Sequence, residues 1–235
     1  MEFPATQWSL LAQATLNGEA AAAAALAEFC RRYREPVLQF VRMRGVSPAE
    51  AEDLTQDFLL HVMEKSTLRR ADAARGRFRS FLIGALVRFL RDAYYQRTAQ
   101  KRGGGQVPLS FDEPDLAAAM PTVAPDDEAT FDRAWATQML QLALEGLKAD
   151  YAKAGRAEAY AVLAAYLPGR AAPPPYEEAA AKLGLGLATF KTEVHRLRDR
   201  FRQRLRREIA GTVTSPEEVD DELAYLGRVL QGTAK

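Results

Sequence analysis

Alanine and isoleucine are used very unequally in this chain: 43 of its 235 residues are alanine, and only Ile83 and Ile209 are isoleucine. Alanine costs least to place in a helix, whereas strands draw on β-branched side chains. The chain is therefore expected to be all-α. Apolar spacing agrees. Phe190, Val194, Leu197, Phe201 and Leu205 recur at intervals of four, three, four and four, and Leu54, Phe58 and Val62 at intervals of four. This is the period of helices that bury one face.

The length suits one large domain or two small ones, with enough chain for a real core. Cys30 is the single cysteine, which excludes a disulfide framework and a cysteine-rich zinc site. Apolar runs are short or broken by arginine, so no membrane span is expected. The opening MEFPATQWSL lacks the basic-then-apolar order of a signal peptide. A cytoplasmic protein is the expectation.

Charge nearly cancels over the whole chain, 32 Lys and Arg against 31 Asp and Glu, but not along it. Residues 49–64 carry five acids and no Lys or Arg. Residues 65–102 carry eleven bases against Asp72 and Asp92, a net of +9. Residues 103–132 then carry seven acids and no base, residues 190–207 a net of +6, and residues 208–222 six acids and no base. Two basic segments separated by an acidic connector suggest two modules facing a polyanion. The connector opens on Gly103-Gly104-Gly105 and holds Pro108, Pro114, Pro121 and Pro125, a linker composition. The expected organisation is a first helical domain over 1–102, an acidic flexible linker over 103–130, a second helical domain over 131–211 and a helical extension over 212–235.

Local signals place the elements. Thr6 can cap a short helix carrying Trp8, Leu10 and Leu11. A helix through Phe29, Tyr33, Val37, Phe40 and Val41 is expected to kink or split at Pro36. Ser47-Pro48-Ala49-Glu50 is a capping sequence that starts another helix. Its inner face is Leu54, Phe58 and Val62, and Asp53, Gln56 and Asp57 fall opposite or at the edge. Ser66 to Arg77 reads as a basic loop, followed by a helix from Phe78 past Arg97. In the second module, Tyr176 to Leu183 is a short helix, Gly184 turns the chain, and a long basic helix follows. That order is the helix-turn-helix pattern, whose second helix enters the major groove of DNA.

Three stretches resemble the extracytoplasmic-function (ECF) sigma factors, small two-domain members of the bacterial RNA polymerase sigma-70 superfamily. They are Ala51-Glu52-Asp53-Leu54-Thr55-Gln56-Asp57-Phe58, Phe78-Arg79-Ser80-Phe81-Leu82 with Asp92 downstream, and Tyr176-Glu177-Glu178-Ala179-Ala180 through His195-Arg196-Leu197-Arg198. The resemblance implies core RNA polymerase and promoter DNA as partners, an anti-sigma factor or another regulator as a further partner class, no cofactor and no enzymatic activity. It matches Asp53, Gln56 and Asp57 to positions that dock on the polymerase clamp helices. It matches the loop before Phe78 and the helix after it to the part that melts the −10 element, with Arg77, Phe78, Arg79, Arg88, Arg91 and Arg97 as candidate contacts. Arginines there can neutralise phosphates and Phe78 can support an unstacked base, while Phe81 is read as core. On the second module, Thr189, Lys191, Thr192, His195, Arg196 and Arg198 are candidates for reading the −35 element. The chain departs from the family pattern at Arg88, where Asn is common, at Phe81 for Trp, at Gly186 for a serine cap, and at Glu193, an acid on the recognition helix.

A stand-alone helix-turn-helix regulator is the alternative. The two histidines, His61 and His195, lie far apart and neither has a ligand partner at helical spacing, so a metalloenzyme is not expected. Ser215-Pro216-Glu217-Glu218 repeats the capping signature and predicts a tail helix. Its expected apolar stripe is Val219, Leu223, Leu226 and Leu230, and its polar side carries Glu218, Asp221 and Glu222. It is expected to pack on the second module, either as core or as a cover for its basic surface.

Overall fold

A computed structural model of the chain describes residues 19–63, 78–101, 125–169, 172–213 and 215–232. The expected helix near Thr6, the loop from Ser66 to Arg77 and most of the expected linker lie outside these residues. The described elements are helices, with no strand among them: α1 Glu19–Arg42, α2 Pro48–Met63, α3 Phe78–Lys101, α4 Pro125–Lys153, α5 Ala157–Leu163, a 3-10 turn Ala164–Tyr166, α6 Tyr176–Lys182, α7 Leu187–Ala210 and α8 Glu218–Gln231. The all-α expectation holds. Among the described residues, no helix is long and apolar enough to cross a membrane.

The chain forms two compact units, one drawing on residues up to Gln138 and from Ala210 onward, the other running from Met139 to Ile209. This corrects the expected boundaries in three places. Residues 125–130, assigned to the linker, open α4. Residues 131–138, assigned to the second domain, belong with the first unit, and so does the tail helix.

In the first unit, α1 passes through Pro36 without splitting. Pro36 removes one intrahelical donor, and the helix is held by tertiary packing instead: Phe29, Tyr33, Val37, Phe40 and Val41 are all buried. Gly45, with φ +76°, reverses the chain, a backbone region that favours glycine. Ser47 then caps α2 as expected, its Oγ accepting from the Glu50 N–H at 3.3 Å. Ala51, Leu54, Phe58, Leu59 and Val62 face inward. Glu52 accepts from Arg34 and Arg42 of α1 at 2.5 and 3.2 Å, an exposed pairing that orients the helices more than it stabilises them. Phe78 of α3 packs against Phe29 and Tyr33, with ring centroids 6.1 and 5.3 Å apart, and Phe89 lies 5.5 Å from Phe58. Phe131 of α4 meets Phe40 edge-on at 6.2 Å.

In the second unit, the buried residues Ala143, Leu147, Tyr151, Leu163, Tyr166, Ala180, Phe190, Val194 and Leu197 form one core. Tyr166, Tyr176 and Phe190 make a three-ring cluster with centroids 4.7 to 5.7 Å apart. The Tyr166 hydroxyl donates to the Pro174 carbonyl at 2.8 Å. That cluster fixes the start of α6 against the start of α7. Between them, Gly184 at φ +64° makes the turn, and the Leu185 N–H closes back on the Ala180 carbonyl at 3.0 Å.

Candidate nucleic-acid interface

On α2, the inward face leaves Asp53, Gln56 and Asp57 exposed. Leu60, two turns along from Asp53, is 52 % exposed beside them. The three candidate docking residues therefore share one solvent-facing strip of acid, amide and aliphatic character. Glu52 is set apart from them by its pairing with α1.

On α3 the outcome differs from expectation at three residues. Phe78 is fully buried among Phe29, Tyr33 and Phe81, so it is core and offers no face to a base. Phe81, read as core, is only half-buried. Arg79 is 5 % exposed and sits in a closed cluster instead of facing phosphate. Its Nε lies 2.5 Å from Asp132 Oδ1, and its Nη1 donates to Glu222 Oε1. The Trp135 and Tyr225 rings lie 4.7 and 4.8 Å from its guanidinium carbon. The Tyr225 hydroxyl donates to the other oxygen of Asp132, and burial, with that hydrogen bond, pushes it up to about 12. Burial would discharge Arg79, yet the two carboxylates overcome it and hold the guanidinium charged. Glu222, expected on the polar side of the tail helix, is 2 % exposed, while Leu230, expected on the apolar stripe, is exposed.

Further along α3, Arg88 is half-buried and Arg91 is exposed, its Nε 3.6 Å from Asp92. Arg77 and the side chain of Arg97 lie outside the described residues. Sequence reasoning passed over Tyr94 and Tyr95, each 62 % exposed, with ring centroids 6.1 Å apart. Two adjacent tyrosines beyond the last residues of a helix's apolar stripe, next to Arg91, were the available signal. Exposed rings beside cations form a surface on which unpaired bases can stack.

On α7, the buried side of Phe190, Val194 and Leu197 leaves Thr189, Lys191, Thr192, His195, Arg196 and Arg198 exposed together. Two of the six bond to backbone: the Thr192 hydroxyl donates to the Ala188 carbonyl at 3.1 Å, and Arg198 Nε donates to the Tyr166 carbonyl at 3.0 Å. His195 lies 3.1 Å from Asp199. Glu193 is not on this face. It is 8 % exposed and accepts from Arg156 at 2.6 Å. Arg204 forks onto Asp150 of α4, its Nε at 2.9 Å from Oδ2.

The comparison with protein families bears on the part of the chain that carries α2 and α3. Residues 29–100 match the family model of Sigma-70 region 2. This part of the chain is a Sigma-70 region 2 domain. No curated protein and no solved structure matches the chain. The region 2 domain begins at Phe29 within α1 and includes the acidic strip of α2 and nearly all of α3. Its presence supports a sigma-70 family member. Segments outside the match, from α4 and α8, supply the carboxylates that surround Arg79 of the region 2 domain.

Hydrogen bonds from Arg156 and then Arg196 hold the Glu193 carboxyl below the usual range, against its partial burial, and the Arg204 bond does the same for Asp150. A carboxylate whose pKa is lowered by folding contributes stability that is complete above its unfolded value, about 4, and is lost as pH falls through the folded value. The urea midpoint of the second unit is expected to fall as pH drops from about 5 to about 3. Glu193→Gln is expected to be less stable at pH 7 and to show a flatter acid limb. An acid limb unchanged by that substitution would mean that Glu193 does not contribute to acid unfolding.

Proposed function

We propose that this chain is an ECF-type sigma factor that binds core RNA polymerase and directs promoter-specific initiation, without catalysing a reaction itself. The exposed Asp53-Gln56-Asp57 strip on a region 2 domain carries the reading. An acidic, amide-rich helix face that is not needed for folding suits a basic protein partner, and the family resemblance assigns that partner as the polymerase clamp helices. Region 2 then engages the −10 element through α3, where half-buried Arg88, exposed Arg91 and the Tyr94-Tyr95 pair replace Phe78 and Arg79 as the surface that can meet DNA. The −35 element is read by the exposed face of α7, led by Lys191, Thr192, His195 and Arg196. The exposure of all four on one side of the second helix of a helix-turn-helix supports this assignment.

The reading is tested by adding the protein to core polymerase with a randomised promoter library and sequencing the templates that yield transcripts. A two-part motif is expected. Arg196→Ala is expected to relax one position of the upstream part by about 5- to 150-fold, the range of a bidentate arginine–guanine contact. A wild-type motif at wild-type strength with Arg196→Ala would show that Arg196 does not read a base. Transcripts without any motif would overturn promoter recognition altogether.

A further inference from the structure

Glu193 is an acid on a helix whose other groups suit DNA, and it is nearly buried. Its two carboxylate oxygens are divided between two arginines. Oε2 accepts from Arg156 Nη2 at 2.6 Å, and Oε1 accepts from Arg196 Nη1 at 3.1 Å. Arg156 is itself well placed. It follows Gly155, whose φ of +68° makes the turn between α4 and α5, its N–H donates to the Tyr151 carbonyl at 2.8 Å, and its guanidinium carbon lies 5.5 Å from the Tyr151 ring. A chain of contacts therefore runs from the core residue Tyr151 through Arg156 and Glu193 to Arg196, which is 63 % exposed at the side chain. An unrestrained surface arginine loses considerable rotamer freedom on gripping a base edge. Holding one edge of the guanidinium from behind removes part of that loss and fixes the direction of the remaining donors.

We infer that Glu193, braced by Arg156, is a positioning residue that sets the side-chain geometry of Arg196 for base recognition. The inference rests on the proposal that α7 reads duplex DNA, and it goes beyond it. It assigns sequence discrimination to an acid that does not touch DNA and to an arginine in the turn before α5. It also has a signature that plain packing lacks. Removing an acid next to a DNA-facing surface leaves salt-dependent, sequence-independent affinity equal or higher, while discrimination at one base pair falls.

The test uses the full chain with core polymerase and the promoter library, comparing wild type, Glu193→Ala, Glu193→Gln, Arg196→Ala and the Glu193→Ala, Arg196→Ala double variant. The position that Arg196→Ala relaxes identifies its base. Glu193→Ala is expected to reduce discrimination at that same position about tenfold and to leave other positions unchanged. Glu193→Gln, which keeps an acceptor oxygen, is expected to fall between. In the Arg196→Ala background, Glu193→Ala is expected to add nothing. If Glu193→Ala does not fold, Glu193→Gln carries the comparison, with a partial loss at that one position expected. An unchanged motif, a uniform loss over all upstream positions, or an undiminished effect in the Arg196→Ala background would each overturn the inference. A wild-type protein without any upstream motif would instead overturn the reading on which it rests.

Discussion

Arg79→Ala lowers the stability of the first unit by about 3–5 kcal/mol, the cost of leaving a buried ionic group uncompensated. The substitution strands Asp132 and Glu222, both nearly inaccessible to water, and removes the cation between the Trp135 and Tyr225 rings. Arg79→Met preserves much of the volume but not the charge, so it loses most of the same stability. Glu222→Gln is milder, because Asp132 remains 2.5 Å from the Arg79 Nε. Urea unfolding of the four proteins at neutral pH measures this directly. A loss below about 1 kcal/mol for Arg79→Ala, the scale of an exposed pair, would mean that the cluster is open to solvent and that Arg79 is available to DNA after all.

Asp53→Arg combined with Gln56→Ala has the largest expected effect on binding. Reversing a charge in a complementary interface costs several kcal/mol, so affinity for core polymerase falls by about a hundredfold or more. Stability barely changes, because both side chains are exposed and neither belongs to the buried face of α2. Titration of core polymerase with labelled wild-type and variant protein, alongside their thermal melts, separates the two quantities. Equal affinities with equal melting temperatures would move the docking surface elsewhere.

Local pattern made α2 legible down to its cap. Ser47 and Glu50 meet as the capping sequence requires, and the four-residue spacing of Leu54, Phe58 and Val62 leaves Asp53, Gln56 and Asp57 outside. The same reasoning found the exposed residues of α7, because a helix lying on a core shows its polar side to solvent regardless of what it binds. It failed at Arg79 and Glu222 for one physical reason. They are 143 positions apart, and Arg79 is buried because Glu222 and Asp132 supply the opposite charge, as Arg79 does for both of them. Read singly, each belongs on a surface, since a lone buried charge is prohibitively costly. Glu193 repeats the lesson on a smaller scale, 37 positions from Arg156. The domain limits failed with them. Composition marked residues 103–130 as a linker, yet α4 begins at Pro125, and the partners of Trp135 and Glu222 lie in the region 2 domain. Phe78 is fully covered and Phe81 only half-covered because helical phase alone does not say which of two nearby rings an adjacent α1 will cover.

Purified full-length protein is mixed with core RNA polymerase and separated by size, and the complex is then supplied with a promoter selected from the library. The sigma-factor assignment requires an equimolar complex that opens the promoter and starts transcripts at a fixed position, while the protein alone leaves the same DNA closed. A protein that stays apart from polymerase, yet binds and protects duplex DNA by itself, would contradict it.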